Sequence, residues 1–449
     1  MGTNTFKLQV AGITKTASIE VVEDITFTVH FERKKDYDGE FGFDWMRENY
    51  SEISNNYEEL KKEYKDAQIN GSEYFVPYLS MLPNQDDVVF NLKLEVLEGK
   101  ARKDDIIKFP AKDGIKFEPN EISLKDLQKE QEAVDGEKAK GYDGDVSSIS
   151  RTEVKVICEN TLSQDTSIEL LDKNDNVVGE IIVIKNDEVL DLSVHFVRVK
   201  GNEPNNTYND RTFNGFNENK IIELLSKKSL NQALINVTLD NVSEIILDVE
   251  DLKEKGVLMD SGGNIPRFYE EKHDFRKTID ELFKQQNPNF RGAVYYLSAI
   301  PPDGRQGGHA AVYPKESDSI VVAPDQIGIN AKSTFVHELG HLLGLLHSFE
   351  EGTKAKYDRL IASRKAKIEE YRTKENVKIR YEGQVITSSE YIDILQRQID
   401  QLNSIVENNE FKFKQSGTDN FMDYYNSNPV AFNKWQWDIM REEIKQYHG

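Results

Sequence analysis

The chain has 449 residues, of which 38% are hydrophobic and 10% aromatic, and its formal net charge is −22. That length allows two to four domains with real cores, and the apolar content excludes a disordered composition. The acidity argues against nucleic acid or anionic lipid as a partner, and the single cysteine rules out an internal disulfide or a thiolate-rich metal site.

The opening stretch, MGTNTFKLQVAGITKTASIE, lacks the charged end and apolar run of a secretory signal peptide. No segment reaches the roughly 18 apolar residues of a membrane span. Retention inside the cell, export by an unconventional or contractile secretion system, and a trimmed chain all fit.

The first half reads as β-rich. In EDITFTVHFE, Ile25, Phe27, Val29 and Phe31 alternate with polar residues, as in a half-buried strand, and His30 falls on the polar, solvent-facing side. A helical stretch is expected in YSEISNNYEELKKEYKDA, then strands at VVFNLKLEVLE, DIIKFP and GIKFEP. The charged, Gly-containing segment 127–148 reads as a long loop or linker. Strands resume at TEVKVIC, TSIELLD and VVGEIIVI. Cys158 shares a strand face with Val154 and Val156 and reads as a core residue. Asp172 to Glu180, DKNDNVVGE, has a partial likeness to a calcium loop, but Val177 and Val183 stand where the glycine and the bidentate acid belong; a hairpin turn explains it better. The expected division is a β-rich domain over 1–87 and a β-sandwich (Ig-like) domain over 88–187, with one larger sandwich as the alternative.

From Val189 strands alternate with helices. VLDLSVHFVRV is apolar on both faces and predicts a central strand, with His195 as a hydrogen-bonded core histidine. Ile221, Leu224, Leu225 and Leu234 mark a helix, INVTL and EIILDV two strands, and Phe275, Ile279, Leu282 and Phe283 another helix. His273 reads as solvated or capping. GAVYYLSAI, HAAVYP and SIVVAP are further strands, and His309 at their Gly-rich edge reads as structural.

The segment FVHELGHLLGLLHSF carries the chemistry. On a helix capped by Ser333 or Thr334, residues Phe335, Leu339, Leu342, Leu343 and Leu346 form a core stripe. His337 and His341, four apart, leave one face a turn apart and can share one zinc ion at about 2.0–2.1 Å. Glu338 points off that axis yet stays close enough to hydrogen-bond a zinc-bound water. A third ligand on the same helix could not complete a tetrahedron. Gly344 can take positive φ, end the helix and turn His347 toward the metal from another direction. Three nitrogens and one open position define a catalytic zinc site.

His337-Glu338-x-x-His341-x-x-Gly344-x-x-His347 resembles the metzincin zinc-peptidase signature. NFMDY, with Met422 in place, is similar to that family's methionine turn. HSF and NFMDY look most like the pappalysin-type branch, while Ser348 is a matrixin-like feature. The resemblance spans roughly residues 188–449. It implies that Met422 forms an apolar floor beneath the zinc, that Tyr424 hydrogen-bonds the oxyanion, and that the edge strand near GGHAAVYP pairs with extended peptide. It further implies peptide hydrolysis through a zinc-activated water with Glu338 as general base.

The stretch between His347 and Met422 is longer than that family needs. Ile392, Leu395, Ile399, Leu402 and Val406 step by three and four behind a capping box at Thr387 and Glu390, which predicts an inserted helical hairpin at about 351–416. It carries 13 basic and 11 acidic residues, a balance of +2, so the acidity of the chain lies elsewhere. It either rims the cleft or is a solvated decoration. A closing helix should face Phe432, Trp435 and Ile439 inward.

The expected architecture is multidomain: β-sandwich-like N-terminal domains, then an α/β (α+β) metzincin-type catalytic domain over 188–449 with a helical insert. A catalytically degenerate protease fold used for binding or structure is the alternative. GEFGFDWMRENY and YFVPYLSMLPN resemble leading modules of Bacteroidetes polymorphic toxins exported by type VI-like systems. That resemblance implies a secreted effector whose N-terminal domains meet a secretion apparatus or an immunity partner; the alternative is accessory domains.

Overall fold

The computed structural model describes residues 2–10, 13–21, 24–141, 145–203, 211–261, 265–269, 274–304, 308–310, 319–327, 332–349, 351–374, 377–381, 384–408, 412–424 and 428–448. The chain is mixed α/β and forms two compact units, Met1–Tyr37 with Tyr64–Asp187, and Asp38–Glu63 with Glu188–Gly449. No helix among the described residues is long and apolar enough to cross a membrane.

In the first unit, strands β1 (Gly2–Val10) and β2 (Ile13–Val21) form a hairpin. They are followed by β3 (Thr26–Arg33), the hairpin β4 (Lys65–Ile69) and β5 (Ser72–Val76), β6 (Tyr78–Ser80) and β7 (Val89–Glu98). Then come β8 (Ile106–Lys108), β9 (Ile115–Glu118), β10 (Glu121–Ser123), helix α1 (Leu124–Ala139), β11 (Glu153–Cys158), β12 (Thr166–Asp172) and β13 (Val177–Val183). One sheet runs β9-β11-β7-β3; a second runs β10-β8-β12-β13-β6 within this unit. In β3 and β7 alternation puts the apolar residues on one face: Val29 lies opposite Leu94 and Phe31 opposite Leu92, all buried. Phe109 against Phe117, with ring centroids 5.3 Å apart, joins the two sheets. At Gly179 a Cβ would lie 2.6 Å from the Val29 carbonyl oxygen, so only glycine permits that approach.

Two expectations fail here. Segment 127–148 is not a linker: its first part is α1, capped by Ser123 accepting the Asp126 amide. Polar side chains fix this helix. Buried Gln131 accepts the Leu94 amide at 3.2 Å, and Glu130 takes the Thr152 amide at 2.7 Å and Arg151 Nε at 3.0 Å. Nor does residue 87 divide the chain, because β3 pairs with β7 along its length and the two sheets draw strands from both sides of that position. Cys158 is buried in β11, as expected, and the Asp172 carboxylate accepts the Asn174 and Asn176 amides in a hairpin turn.

The second unit is built on β14 (Leu190–Gly201), α2 (Glu218–Lys227), β15 (Ile235–Leu247), α3 (Asp274–Gln286), β16 (Ala293–Ser298), β17 (Gly308–Ala310) and β18 (Ser319–Val322). The sheet order is β15-β14-β16-β18-β17, parallel except for the antiparallel edge β17. β14 is interior and apolar on both faces, as its sequence predicts. INVTL and EIILDV belong to one strand rather than two, with Asp240 as the bulge residue opposite the Val194–His195 step. His195 is buried between Asp240, 2.8 Å from its Nδ1, and Ser243, 2.9 Å from its Nε2, a satisfied core histidine.

Helix α4 (Lys332–Leu342) carries the histidine motif. α5 (Glu351–Arg372), the hairpin β19 (Lys378–Tyr381) and β20 (Gln384–Thr387), and α6 (Ser388–Asn408) form the insert, with a β-hairpin at its tip that the sequence did not suggest. The capping box is present: Glu390 accepts the Thr387 amide at 2.7 Å, and Thr387 Oγ1 accepts the Glu390 amide at 3.2 Å. The final helix α7 (Lys434–Glu443) buries Trp437 and Met440 rather than Trp435 and Ile439, which are half-buried. Phe432 is buried as expected, but it precedes the helix and so does not set its phase.

Segment Asp38–Glu63 joins this unit through buried polar contacts. The Asp44 carboxylate accepts the Lys434 amide at 2.8 Å, and Arg47 pairs with Asp419 at 2.7 Å. The helical stretch expected here is two short helices, Tyr50–Ile53 and Tyr57–Lys61.

Candidate metal centre

Helix α4 lies on the sheet through Tyr295 of β16, whose hydroxyl donates to the Phe335 carbonyl at 2.7 Å while the two rings stand 5.3 Å apart. Phe335, Leu339 and Leu342 are buried on α4, so they fix the rotation of the helix and the side from which its histidines project; Leu343 and Leu346, also buried, lie past its last residue. The helix begins at Lys332, which puts Ser333 and Thr334 inside the first turn rather than at the cap. Thr334 Oγ1 instead donates to Gln326 at 3.0 Å.

The stop is built as the sequence requires. Gly344 has φ +88°, its amide donates to the His341 carbonyl at 3.0 Å, and the Leu345 amide donates to the Gly340 carbonyl at 2.9 Å. This is a Schellman closure, and it turns the chain so that His347 faces back toward the helix.

His337, His341 and His347 converge, with one nitrogen of each within 4.8 Å of the others. His347 Nε2 lies 3.1 Å from His337 Nε2 and 3.0 Å from His341 Nε2. The Nδ1 of His337 lies 2.7 Å from the Phe421 carbonyl, and that of His341 lies 2.8 Å from the Leu345 carbonyl. A carbonyl only accepts, so both rings carry their proton on Nδ1 and direct an Nε2 lone pair inward. The imidazole of His347 can donate to at most one of them, so this cluster is one that a cation completes. Two nitrogens on one tetrahedral ion at about 2.0–2.1 Å lie about 3.3 Å apart, close to the spacing found. Burial, and next the charge of His347, push the pKa of His337 down to about 4, which keeps it in the neutral, metal-binding form at pH 7. These three residues can therefore hold a metal ion.

Glu338 is buried beside them. Burial pushes its pKa up to about 8, opposed by a hydrogen bond from the Ala310 backbone on edge strand β17. Gly308 of the same strand abuts this carboxyl: a Cβ there would lie 2.7 Å from Glu338 Cγ. Tyr424 stands at the rim, 39% exposed, with its ring centroid 4.4 Å from that of His347 and 5.4 Å from that of His337. Met422 is fully buried below the helix, where a Cβ on Gly340 would lie 2.5 Å from its sulfur. Every residue singled out in the motif and the methionine turn is thus brought to one place. His30, half-buried, stacks on Tyr74 in the first unit. His273 and the side chain of His309 lie outside the described residues.

Sequence reasoning missed what holds the turn around Met422. Asp423 accepts the Ser416 amide at 2.8 Å and the Thr418 amide at 2.9 Å, and Asn420 Oδ1 accepts the Met422 amide at 2.8 Å. Asn420 also donates to Asn433, which caps the closing helix, and to Gln436 within it, 2.5 Å and 2.6 Å away. Gly308 and Gly340 were missed too; Gly340 lies within the motif, and its lack of a side chain was the available signal.

No family model matches the chain, and no curated protein does. Among solved structures, a chain described as "Structure of a chaperone-substrate complex" is similar over 44% of this chain and 28% of its own length, at 17% identity and a TM-score of 0.23. Similarity of that size carries no argument about fold or function.

Proposed function

We propose that the chain is a zinc-dependent endopeptidase of the metzincin type. In this reading His337, His341 and His347 hold the ion, Glu338 is the general base and Tyr424 the oxyanion donor. The observation that carries it is the convergence of three imidazole nitrogens beside a buried carboxyl from the same helix. Nitrogen donors favour zinc over magnesium or calcium, and three of them with no fourth protein ligand among the described residues match a catalytic rather than a structural set. When bound, zinc supplies Lewis acidity and brings the pKa of water near neutrality.

The protein groups do the rest. Glu338 takes the proton of the attacking water and passes it to the leaving amine, a role supported by its place on α4 next to His337 and beside edge strand β17. The Tyr424 hydroxyl donates to the oxygen on which charge develops. Edge strand β17 offers its backbone to an extended peptide. A degenerate fold kept for binding would have no use for Glu338, since holding the metal does not require it.

The N-terminal resemblance favours an exported effector as the setting. Of its two stretches, the one at 39–50 belongs to the same unit as the metal centre, so it is not part of a separable adaptor. The test is elemental analysis, expected to return about one equivalent of zinc, together with proteome-wide cleavage profiling of wild type against Glu338→Gln. A protein that cannot be loaded with zinc, or equal cleavage by both proteins, would overturn the proposal.

A further inference from the structure

His337 and His341 stand on a helix, each with an Nδ1 carbonyl partner. His347 lies beyond the helix stop, and no regular element carries it. Both of its neighbours in the chain are held. Leu346, 4% exposed, belongs to one buried apolar cluster with Tyr357 and Ile361 of α5 and Leu395, Ile399 and Leu402 of α6. Ser348 gives its carbonyl to the Phe413 amide at 3.0 Å, just after the hairpin ends. Phe413 is fully buried, with its ring 4.8 Å from Tyr50, and the preceding Lys412 pairs with Glu63 at 2.6 Å. The residue before the ligand is thus locked by the core of the hairpin, and the residue after it by the chain leaving the hairpin.

We propose that the inserted hairpin, Glu351–Asn408, is the positioning element for the third ligand, with Leu346 as the positioning residue through which it acts. This rests on the metal-centre reading above and adds to it that metal affinity depends on how the hairpin packs. A solvated decoration needs a core of its own, but it has no reason to take a residue adjacent to a ligand into that core. A cleft rim would alter peptide selection and leave the metal alone. Here the apolar cluster runs from α5 and α6 into the ligand loop, so loosening it frees the backbone at 346–348 while His337 and His341 stay on α4. Two imidazoles then remain well placed and the third does not.

The test uses the full chain with Leu346→Ala and, farther from the metal, Ile399→Ala. Zinc affinity is read by competition with a chromophoric chelator, and ligation by the visible spectrum of the Co²⁺-loaded protein. Tryptophan fluorescence of α7 reports that the second unit stays folded. Both variants should bind zinc about 10- to 100-fold more weakly than wild type, with a weakened Co²⁺ absorption, as loss of an orienting contact does elsewhere. Leu346→Met, which keeps the volume, should restore both. If either alanine variant does not fold, Ile399→Val carries the test with a smaller shift in the same direction. Folded variants with wild-type zinc affinity and Co²⁺ spectrum would overturn this inference alone. A wild-type protein that binds no zinc would remove the metal centre and this inference together.

Discussion

Gly308→Ala tests the assignment of Glu338 without replacing any of the three histidines or any residue of α4. The added methyl would lie 2.7 Å from Glu338 Cγ, 2.9 Å from Oε1 and 3.0 Å from Cδ, where ordinary contact begins at 3.4 Å. Something must therefore yield by about 0.7 Å. Glu338 is only 8% exposed, so its carboxyl has no open solvent to move into. Either the carboxyl swings away or β17 separates from α4 and breaks the hydrogen bond from Ala310 to Glu338. Both outcomes displace the base relative to a peptide lying along β17. A misplacement of about 1 Å costs on the order of 100-fold in rate, so kcat/KM should fall by about 10- to 100-fold, or roughly 1.4–2.7 kcal/mol of transition-state stabilisation. The assay is cleavage of a fluorogenic peptide by wild type and variant, with zinc content measured on the same samples. Zinc should stay at one equivalent because no ligand moves. A fully loaded variant with kcat/KM within twofold of wild type would refute the reasoning, since a base in contact with this glycine could not have kept its place.

Glu338→Gln should keep the zinc and lower kcat by about 100- to 10,000-fold, the usual worth of a positioned base; undiminished turnover on loaded protein would retire the assignment. If Tyr424 is the proposed oxyanion donor, Tyr424→Phe should lower kcat by about 100-fold while KM stays nearly constant, because such a donor acts only as charge develops; an effect confined to KM would make Tyr424 a substrate contact. Stability of chelator-treated protein should depend on pH in a defined direction. The folded pKa of Glu338, about 8, lies above its ordinary 4.5, so its contribution is complete below 4.5 and is lost as pH rises toward 8. The folded pKa of His337, about 4, lies below its ordinary 6.5, so its contribution is complete above 6.5 and is lost as pH falls toward 4. Between these limits the two trends oppose each other, and above pH 6.5 only the loss from Glu338 remains. Melting temperature of the metal-free protein should therefore fall between pH 6.5 and about 8, and Glu338→Gln should flatten that slope; an equal slope in the variant would contradict the burial of this carboxyl.

What the sequence disclosed is what short-range spacing controls. Two histidines a helical turn apart, a glycine at the stop and alternating strands are fixed by neighbours within about ten residues. Their positions in α4, in the Gly344 turn and in β3, β7 and β11 match what was read. The capping box at Thr387 is equally local. What stayed hidden depends on partners far along the chain. Asp44 and Asn433 are 389 residues apart, and nothing near either one announces the other. Helix α1 escaped because the side chains that fix it include Glu130 and Gln131, which a hydrophobic period cannot register. The closing helix was read with the wrong phase because Phe432 is buried just before the helix starts, and counting from it turned the buried face away from Trp437. Strand β15 read as two because it is an edge strand with an exposed middle, where polar residues interrupt the apolar pattern without ending the pairing.

These hidden contacts bear on the centre because each imidazole is oriented by a different part of the unit. His337 depends on the Phe421 carbonyl, and so on the methionine turn that Asn420 and Asp423 hold against the closing helix. Arg47, from a segment far earlier in the chain, pairs with Asp419 at the start of that turn. His341 depends on the Leu345 carbonyl, and so on the left-handed backbone at Gly344. His347 depends on the loop between Leu346 and Ser348. The eleven-residue signature names the donors, but the inward direction of two of the lone pairs is set by carbonyls at 345 and 421, only one of which the signature contains. A sequence carrying the motif without a segment to stand where Phe421 stands could place the Nδ1 proton on the wrong nitrogen and turn a ligand into a donor. Metal competence is therefore a property of the folded second unit, including residues 38–63, rather than of the motif.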